Sequence, residues 1–454
     1  MVDGLVPAHA DGGPPLRVVP ESLCTRCGVC DPICPTDVVR FDDRALPVIE
    51  TEGCIACGLC VAVCPGVDFD YKAEYWQRFG VADPPRWLGG VYQSAWLCSS
   101  SSTDVRREGS GGGVVTQILM GLLAEGEIDA AVTVGAHPDD PLKPEPVVCR
   151  TPEELLATAG SKYCVVPQAK ALRQVRRLPG RFAFVGVGCQ IEGLRRLEGF
   201  NKSLARRKIL TIGLACHGTL EREATTDLLE RKRVPLRSVV RFRYRGGKFP
   251  GKFQAELPGE VRDLHRYEYK DSAYNYLFHL YTPSRCLDCP DFTAEFTDLS
   301  VTDFWVRDEN GEYLHPEGAS LVLCRNERAE SLLRMLIAKG HLVGGAVSKD
   351  DVDRSFRHLD HEKRVAPFLR WERARRAGRF APNYHLDPPA VTLSDRAWET
   401  LFRATFVFSR WRSTRRLMVW VLFSRFGDAV TWMNMRRKRR RARRRARRGG
   451  RFTH

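Results

Sequence analysis

Long apolar runs are absent from the sequence. The nearest candidate, Leu417–Phe423, is flanked by arginines and is far shorter than the roughly 20 residues that a membrane-spanning helix needs. The N-terminal residues are rich in glycine and proline and lack the apolar core of a secretory leader. We therefore expect a flexible leader over residues 1–19, no transmembrane span and a cytoplasmic location.

Acidic residues are absent from the end of the chain. Residues 436–451 contain twelve arginines and lysines and no acid, and removing these twelve from the net charge of +16 leaves +4 for the rest. Tryptophan and phenylalanine are interleaved with arginine over residues 396–426. We expect a basic, helical extension over residues 346–454. It fits a solubilising tail, a segment that binds the anionic inner face of a membrane, or a segment that binds nucleic acid or another acidic partner.

Cysteine, in contrast, is abundant, with sixteen residues. Because no secretory leader is evident, metal-bound thiolates in a reducing compartment explain this number better than disulfides do. Half of the cysteines fall into two runs of the form Cys-x2-Cys-x2-Cys-x3-Cys-Pro. The two runs comprise Cys24, Cys27, Cys30, Cys34, Cys54, Cys57, Cys60 and Cys64.

The doubled run is the pattern of a bacterial two-cluster ferredoxin, in which the fourth cysteine of each run binds the other cluster. We therefore predict two [4Fe–4S] clusters in a module over residues 20–70. One would be held by Cys24, Cys27, Cys30 and Cys64, and the other by Cys54, Cys57, Cys60 and Cys34. Structural zinc is the alternative, but a zinc site closes at four ligands and does not require eight cysteines in this order.

After the module, from residue 109 onward, the sequence predicts an α/β domain, so that the whole chain is of the α+β or α/β class. The predicted helices cover residues 114–126, a segment starting at Thr151-Pro152, and residues 326–340. The predicted strands cover residues 130–135, 181–186, 208–214, 299–301 and 320–323, with an antiparallel strand or hairpin over 237–255. We expect residues 71–108 to be a linking stretch with a loop at 99–103.

Four further cysteines form a separate candidate site. Cys189 and Cys216 each follow one of two predicted parallel strands, whose carboxyl ends face the same crevice. Cys286 and Cys289 add a Cys-x2-Cys pair, so the four thiolates could converge on a third [4Fe–4S] cluster. The alternatives are that Cys189 and Cys216 are small buried apolar residues, and that the pair is a redox couple or half of a zinc site.

A glycine-rich turn, residues 109–113, opens the helix predicted at 114. The free N–H groups and positive end of a helix favour a phosphate, although many glycine turns are only loops. This turn and four later motifs resemble, in their order, the family of coenzyme F420-reducing hydrogenase/dehydrogenase beta subunits. The motifs are residues 109–112 (GSGG), 160–163 (GSKY), 184–190 (FVGVGCQ), 213–218 (GLACHG) and 285–291 (RCLDCPD). The chain departs from the family at Val187-Gly188, where Thr-Pro is usual, and at Thr302, where glycine is usual.

The resemblance, which runs over residues 20–345, implies an N-terminal family domain over residues 90–170 and a C-terminal one over 175–345. It implies a flavoprotein that binds FAD beside the third cluster and exchanges hydride with the deazaflavin coenzyme F420. The implied flavin contacts are Ser110, Gly111, Gly112, Ser161, Lys162 and Tyr163. A lysine at 162 would favour the anionic reduced flavin, unless it is an ordinary solvated side chain.

We therefore expect an oxidoreductase that uses coenzyme F420 or a related two-electron partner and passes single electrons through its clusters. Basic residues on an alternating segment would hold the acidic tail of coenzyme F420, or would form a solvated face. These residues are Arg241, Arg243, Arg245, Lys248 and Lys252. The alternative function is a non-catalytic relay subunit that docks on a partner redox subunit.

Overall fold

The structure, a computed structural model, describes residues 16–268, 273–308, 312–356, 361–409 and 411–447. Most of the expected leader and the last residues of the basic tail therefore lie outside the described residues. The strands are β1 Leu16–Arg17, β2 Val39–Phe41, β3 Pro47–Ile49, β4 Ser94–Ser100, β5 Ala130–His137, β6 Asp140–Cys149, β7 Phe182–Val187, β8 Lys208–Leu214, β9 Arg241–Gly246, β10 Lys252–Leu257, β11 Glu260–Asp263, β12 Leu299–Asp303, β13 Ser320–Cys324 and β14 Leu342–Ala346.

Helices connect and cover these strands. They are α1 Cys30–Ile33, α2 Leu59–Ala62, α3 Tyr71–Phe79, α4 Thr103–Glu108, α5 Val114–Ala124, α6 Pro152–Ala157, α7 Leu172–Arg177, α8 Gly188–Phe200, α9 Lys202–Arg207, α10 Glu223–Arg231, α11 Ala273–Tyr281, α12 Ser284–Leu287, α13 Glu327–Ala338, α14 Lys349–Phe356, α15 Ala366–Arg376, α16 Leu393–Phe408, α17 Arg412–Leu422 and α18 Arg425–Arg447. Short 3-10 helices lie at Gln168–Ala171 and Leu236–Ser238, and a π-helical turn lies at His361–Val365.

The N-terminal module contains two short helices, one in each cysteine run. α1 begins at Cys30, the third cysteine of the first run, and α2 contains Cys60, the third cysteine of the second. β1, β3 and β2 form a small antiparallel sheet in the same module. Gly28 and Gly58 have φ angles of +87° and +71°, a conformation that glycine adopts without strain and that lets each loop turn tightly.

An eight-stranded mixed sheet forms the centre of the chain, in the order β14-β4-β13-β12-β8-β7-β5-β6. β5, β7, β8 and β12 are parallel neighbours, and the outer strands pair antiparallel. β7 and β8 confirm the buried parallel strands predicted from their apolar runs. α5 and α13 pack on one face of the sheet, and α7 and α8 pack on the other.

The prediction of a loop at residues 99–103 within a linking stretch holds only for residues 101 and 102, which connect β4 to α4. Ser99 and Ser100 end β4, which is hydrogen-bonded to β13 on one side and to β14 on the other. The buried Ser100 is tolerated in the sheet because its Oγ donates to Gln117 Oε1 at 2.7 Å. The run of serines that ends β4 is typical of a loop, and it hid the strand although Ala95, Trp96 and Cys98 are buried in it.

Other predicted elements occur close to their expected positions. α6 begins with a capping box in which Thr151 and Glu154 each bond the other's backbone. The alternating segment forms an antiparallel hairpin of β9 and β10, to which β11 adds a third strand. This small sheet packs with α10, α11 and α17 in a second apolar core.

The C-terminal extension contains α14 to α18. α17 buries Val419 and Phe423 in the second core, while Leu417 and Trp420 on its outer side are 61 % and 59 % exposed. None of the helices in the described ranges is both long enough and apolar enough to cross a membrane.

Candidate iron–sulfur and cofactor site

A cavity of about 1680 Å³ lies at the carboxyl ends of β7, β8 and β12. The segments that follow these strands line it, together with the N-terminus of α5 and residues 160–166. Open α/β sheets bind their ligands at this edge. Many residues that the sequence singled out line the cavity, namely Ser110, Gly111, Ser161, Lys162, Tyr163, Cys189, Cys216, Cys286 and Cys289.

The structure gathers the module cysteines into two sets. The cysteines whose charges act most strongly on Cys30 are Cys27, Cys24 and Cys64, followed by Cys60, and the first three with Cys30 make up the first set. The second set surrounds Cys60 and includes Cys57 and Cys34. Each set contains a cysteine from the opposite run, which is the arrangement that swapped ligation requires. Burial raises the pKa of Cys24 and of Cys60 to about 11, so these thiols need a bound cation to ionise at neutral pH.

The two cysteine sets differ in their exposure to solvent. Cys27 and Cys30 are buried, whereas Cys57 is exposed. Ile55, in the loop of the second run, is 63 % exposed. The second set therefore reaches the surface at Cys57, whereas its Cys34 is buried.

The four remaining candidate cysteines converge from three separate segments. Cys189 is the second residue of α8, Cys216 follows β8, and Cys286 and Cys289 lie in and just after α12. The pKa of Cys189 is raised, first by burial and then by the charges of Cys289 and Cys286. The charge of Cys216 raises it less strongly. In the described part of the chain, no group of three or more His, Cys, Asp or Glu side chains is already arranged around a position for a metal ion.

The first cysteine set lies against the helix that carries Cys189. A Cβ on Gly193, one turn along α8, would lie 3.0 Å from Cys27 Sγ. Arg26, in the first cysteine loop, forms a bidentate ion pair with Glu221 at 2.7 and 2.9 Å, and both side chains are largely buried. The buried cysteines of the module therefore lie next to the four converging cysteines Cys189, Cys216, Cys286 and Cys289, which we call the third set.

The two predicted flavin motifs are in direct contact. The Ser161 N–H donates to Ser110 Oγ at 2.8 Å. Gly112 and Gly113 have φ angles of +80° and +71°, and Gly113 is the N-cap of α5 without a side-chain cap. The first N–H groups of α5 have no partner within the helix, and a helix N-terminus of this kind favours an anion.

Two of these glycines also serve packing, which the sequence did not reveal. A Cβ on Gly111 would lie 1.7 Å from Asp303 Oδ1, and one on Gly112 would lie 3.1 Å from the Gly318 carbonyl oxygen. Gly112 therefore packs against the segment that precedes β13. A side chain at Gly112 would therefore disturb the fold whether or not a ligand is bound, and one at Gly111 would displace the Asp303 carboxylate.

Lys162 is anchored to the backbone, so the interpretation as a solvated lysine was wrong. Its Nζ donates to the carbonyl oxygens of Thr158, Ala159 and Gly160 at the end of α6, the last two at 3.0 and 3.1 Å. Burial, and then the nearby charge of Arg241, lower the pKa of Lys162 to about 7. The three carbonyls oppose this shift because they favour the ammonium form.

The basic residues of β9 do not form a solvated face either. Arg241 and Arg243 both form ion pairs with Glu108, the first at 2.9 Å. Arg245 forms an ion pair with Asp303, and its side chain is only 2 % exposed. Two lysines of the predicted group, and two arginines that no motif indicated, also line the cavity: Lys248, Lys252, Arg266 and Arg307.

Residues of the C-terminal extension complete the cavity wall, and no sequence motif indicated them. His217 Nε2 is hydrogen-bonded to Glu362, and the His217 ring stacks on Phe278 with centroids 4.6 Å apart. Lys363 is 3 % exposed and lines the same cavity as the four converging cysteines. Because these residues lie far along the chain from any motif, only the folded structure brings them together.

Comparison with known proteins identifies the same regions. Residues 95–173 match the N-terminal part, and residues 180–349 the C-terminal part, of the coenzyme F420 hydrogenase/dehydrogenase beta subunit. Residues 23–68 match a 4Fe-4S dicluster domain. The two beta-subunit matches together cover more than half of the chain.

Curated relatives include redox proteins of archaea and plants. The coenzyme F420-dependent sulfite reductase of Methanocaldococcus jannaschii is 29 % identical over 331 residues, which make up 70 % of this chain and 46 % of that protein. The chain thus spans about half the length of that relative. A subunit of the F(420)H(2) dehydrogenase of Methanosarcina mazei is 28 % identical over 337 residues, or 70 % of this chain and 84 % of that protein. The chloroplastic 7-hydroxymethyl chlorophyll a reductase of Oryza sativa is 29 % identical over 227 residues, 49 % of this chain and 46 % of that protein.

A chain in a solved structure shares the fold. It belongs to a xenon derivative of the F420-reducing [NiFe] hydrogenase complex from Methanosarcina barkeri, with a TM-score of 0.53 and 22 % identity. The match covers 67 % of this chain and 99 % of that chain. The family resemblance seen in the sequence is confirmed: the chain belongs to the family of coenzyme F420 hydrogenase/dehydrogenase beta subunits and carries a 4Fe-4S dicluster domain.

Proposed function

We propose that the protein is an iron–sulfur flavoprotein oxidoreductase that passes electrons between [4Fe–4S] clusters and FAD and exchanges hydride with coenzyme F420 or a related two-electron carrier. The observation that carries this proposal is one large cavity, which is lined both by the four converging cysteines and by the two predicted flavin motifs. Membership of a family of iron–sulfur redox subunits supports it.

The exposure of the cysteine sets supports an order of electron transfer. Single electrons enter or leave at the surface set near Cys57, pass through the buried set near Cys27, and reach the third set beside the cavity. Arg285, next to Cys286, donates from Nε to the Leu23 carbonyl at 3.1 Å and is buried. This contact links the first cysteine loop to the third set.

The residues at the N-terminus of α5 fit the pyrophosphate of FAD. The uncapped N-terminus of α5 supplies N–H donors, and Ser110 and Ser161 bring the second motif to the same place. A single ligand pocket usually measures about 300–1,000 Å³, so a cavity of about 1680 Å³ has room for a cofactor and a substrate together. FAD, when bound, would supply the conversion between one-electron and two-electron chemistry.

Coenzyme F420 is the favoured two-electron partner because several relatives carry its name. Its acidic tail requires cations at the cavity. Arg243 and Arg245 are already paired with acids. We therefore propose that Lys248 and Arg266, which are exposed and line the cavity, bind the acidic tail of coenzyme F420. A non-catalytic relay subunit is the second candidate, favoured by the surface position of Cys57 and by relatives that are subunits of larger enzymes.

One assay separates the two candidates. Anaerobically purified protein, loaded with iron and FAD, is mixed with coenzyme F420 and a one-electron dye, and the absorbance of the deazaflavin is followed. We expect reversible reduction and oxidation of coenzyme F420. Activity with nicotinamide cofactors alone would contradict the choice of carrier, and a loaded protein inactive with both carriers would favour the relay function.

We further propose that the C-terminal helices rest on an anionic membrane surface. The outer sides of α17 and α18 expose Leu417, Trp420, Phe426 and Trp432. Residues 393–447 contain seventeen arginines and lysines but only three acids. Two of those acids are already engaged, Asp395 by Thr392 and Glu399 by Arg370, and Asp428 lies near His265. Exposed tryptophans beside an excess of arginines suit the interface of an anionic bilayer.

A further inference from the structure

Residues 361–384 of the C-terminal extension cover the loop that carries Cys286 and Cys289. Arg370 Nη1 donates to the Leu287 carbonyl, and Trp371 Nε1 donates to the Asp288 carbonyl at 3.2 Å. Tyr384 is buried, and its hydroxyl accepts from Arg285 Nη2 at 2.7 Å. The beta-subunit match ends at residue 349, so this cover is a feature of the chain that the family match does not include.

Lys363 lies in this cover with its side chain buried and lining the cavity. Its neighbours along the chain are both paired, Glu362 with His217 and Arg364 with Glu295. No carboxylate within the described ranges forms an ion pair with Lys363. The charges that act on it most strongly are those of Cys289, Cys216 and Cys286, followed by that of Asp291. A buried ammonium is costly unless an anionic group lies close to it.

We propose that Lys363 is a positioning residue for the third cluster, whose reduced state its positive charge stabilises. A cluster held by four thiolates is anionic and gains one further negative charge when it accepts an electron. A fixed cation in a water-poor site favours that state. Lys363 therefore raises the reduction potential of this cluster and makes it a better acceptor for electrons from the first set. This inference rests on the third cluster of the proposed function.

The test compares Lys363→Met, which removes the charge and keeps an unbranched side chain, with Lys363→Arg, which keeps the charge. Iron content and anaerobic redox titration followed by electron paramagnetic resonance are measured for each. The signal of the third cluster is identified as the one lost in Cys286→Ser/Cys289→Ser. Lys208→Met serves as control, because Lys208 is a largely buried lysine at the opposite end of β8, paired with Glu198 at 2.8 Å.

We expect Lys363→Met to lower the reduced-to-oxidised ratio of the third cluster at least about tenfold at fixed potential, which is 59 mV for a one-electron couple. Lys363→Arg and Lys208→Met should stay near wild type. Loss of this cluster in Lys363→Met but not in Lys363→Arg would also support the role of the charge. An unchanged potential in a fully loaded Lys363→Met, or loss of the cluster in both variants, would overturn it. If the wild-type protein contains only two clusters, there is no third cluster for Lys363 to act on, and both proposals are refuted.

Discussion

The Ser161 N–H donates to Ser110 Oγ across 2.8 Å and joins two motifs that lie 51 residues apart in the chain. Ser110 precedes the uncapped N-terminus of α5, and Ser161 precedes the anchored Lys162. An anion bound at α5 would therefore lie beside both motifs at once. This relationship gives the flavin proposal a specific location that substitutions can test.

The first prediction places a negative charge at that location. Thr116 lies in the first turn of α5 and lines the cavity. A carboxylate in the first turn stabilises a helix but repels a phosphate, so Thr116→Glu should lower FAD affinity by at least about tenfold without unfolding the protein. The measurement is FAD released on denaturation after reconstitution, with iron content determined on the same sample.

Thr116→Gln is the matched control, because it has the size of glutamate without the charge. It should retain FAD. Equal FAD content in both variants would contradict a pyrophosphate at α5. Gly111→Val is a weaker test, since a Cβ there would already meet Asp303.

The second prediction concerns the number of clusters. Three cubanes correspond to about twelve irons per chain, and two correspond to about eight. Cys286→Ser/Cys289→Ser should lose about four irons and keep the spectroscopic signals of the N-terminal clusters. Cys149→Ala, which changes a buried cysteine outside all three sets, should keep the wild-type iron content. Full iron content in the double variant would show that these thiols hold no cluster.

Local patterns account for what could be predicted from the sequence. The swapped cysteine sets follow from two repeated loops, and the convergence of Cys189 and Cys216 follows from two parallel strands that end at one edge. β4 was missed because it ends in a run of serines, and its buried Ser100 is satisfied by a hydrogen bond to Gln117, which is distant in the chain. Lys363 could not be found because its place depends on how the extension folds back over α12, a long-range contact that no spacing encodes.

The third prediction tests the tail of coenzyme F420. Charge reversal in Lys248→Glu should raise KM for coenzyme F420 more than it lowers kcat, because a contact with the tail binds substrate and transition state alike. Lys339→Glu, a charge reversal at a surface lysine near Glu125, should change neither constant. A drop in kcat at unchanged KM would place Lys248 at the chemistry instead of the tail.

The fourth prediction concerns the basic helices. Full-length protein should sediment with anionic vesicles at low salt and detach as salt rises, since screening shortens the reach of its charges. Removal of residues 436–454 should weaken this binding while iron and FAD stay unchanged. Trp420→Ala and Trp432→Ala should weaken it at every salt concentration, because both indoles are exposed.

Neutral vesicles and a nucleic-acid duplex are the controls for the vesicle assay. Tight binding to the duplex without binding to anionic vesicles would replace the membrane by nucleic acid as the partner. Binding to neither would leave a solubilising tail.

The last prediction is that the stability of the folded protein depends on pH through His265, which lies between β11 and α18. Burial lowers the pKa of His265 to about 4, and its Nε2 lies 3.6 Å from Asp428 of α18. The unfolded chain binds a proton here below pH 6.5, whereas the folded chain does so only near pH 4. The contribution of neutral His265 to stability is therefore complete above pH 6.5 and is lost as the pH falls towards 4.

We expect wild type to lose about 2 kcal/mol relative to His265→Gln between about pH 7.5 and about pH 5. Anaerobic melting of both proteins at the two pH values measures this, because acid damage to the clusters affects both equally. A difference in stability that does not change with pH would show that His265 titrates normally in the folded protein.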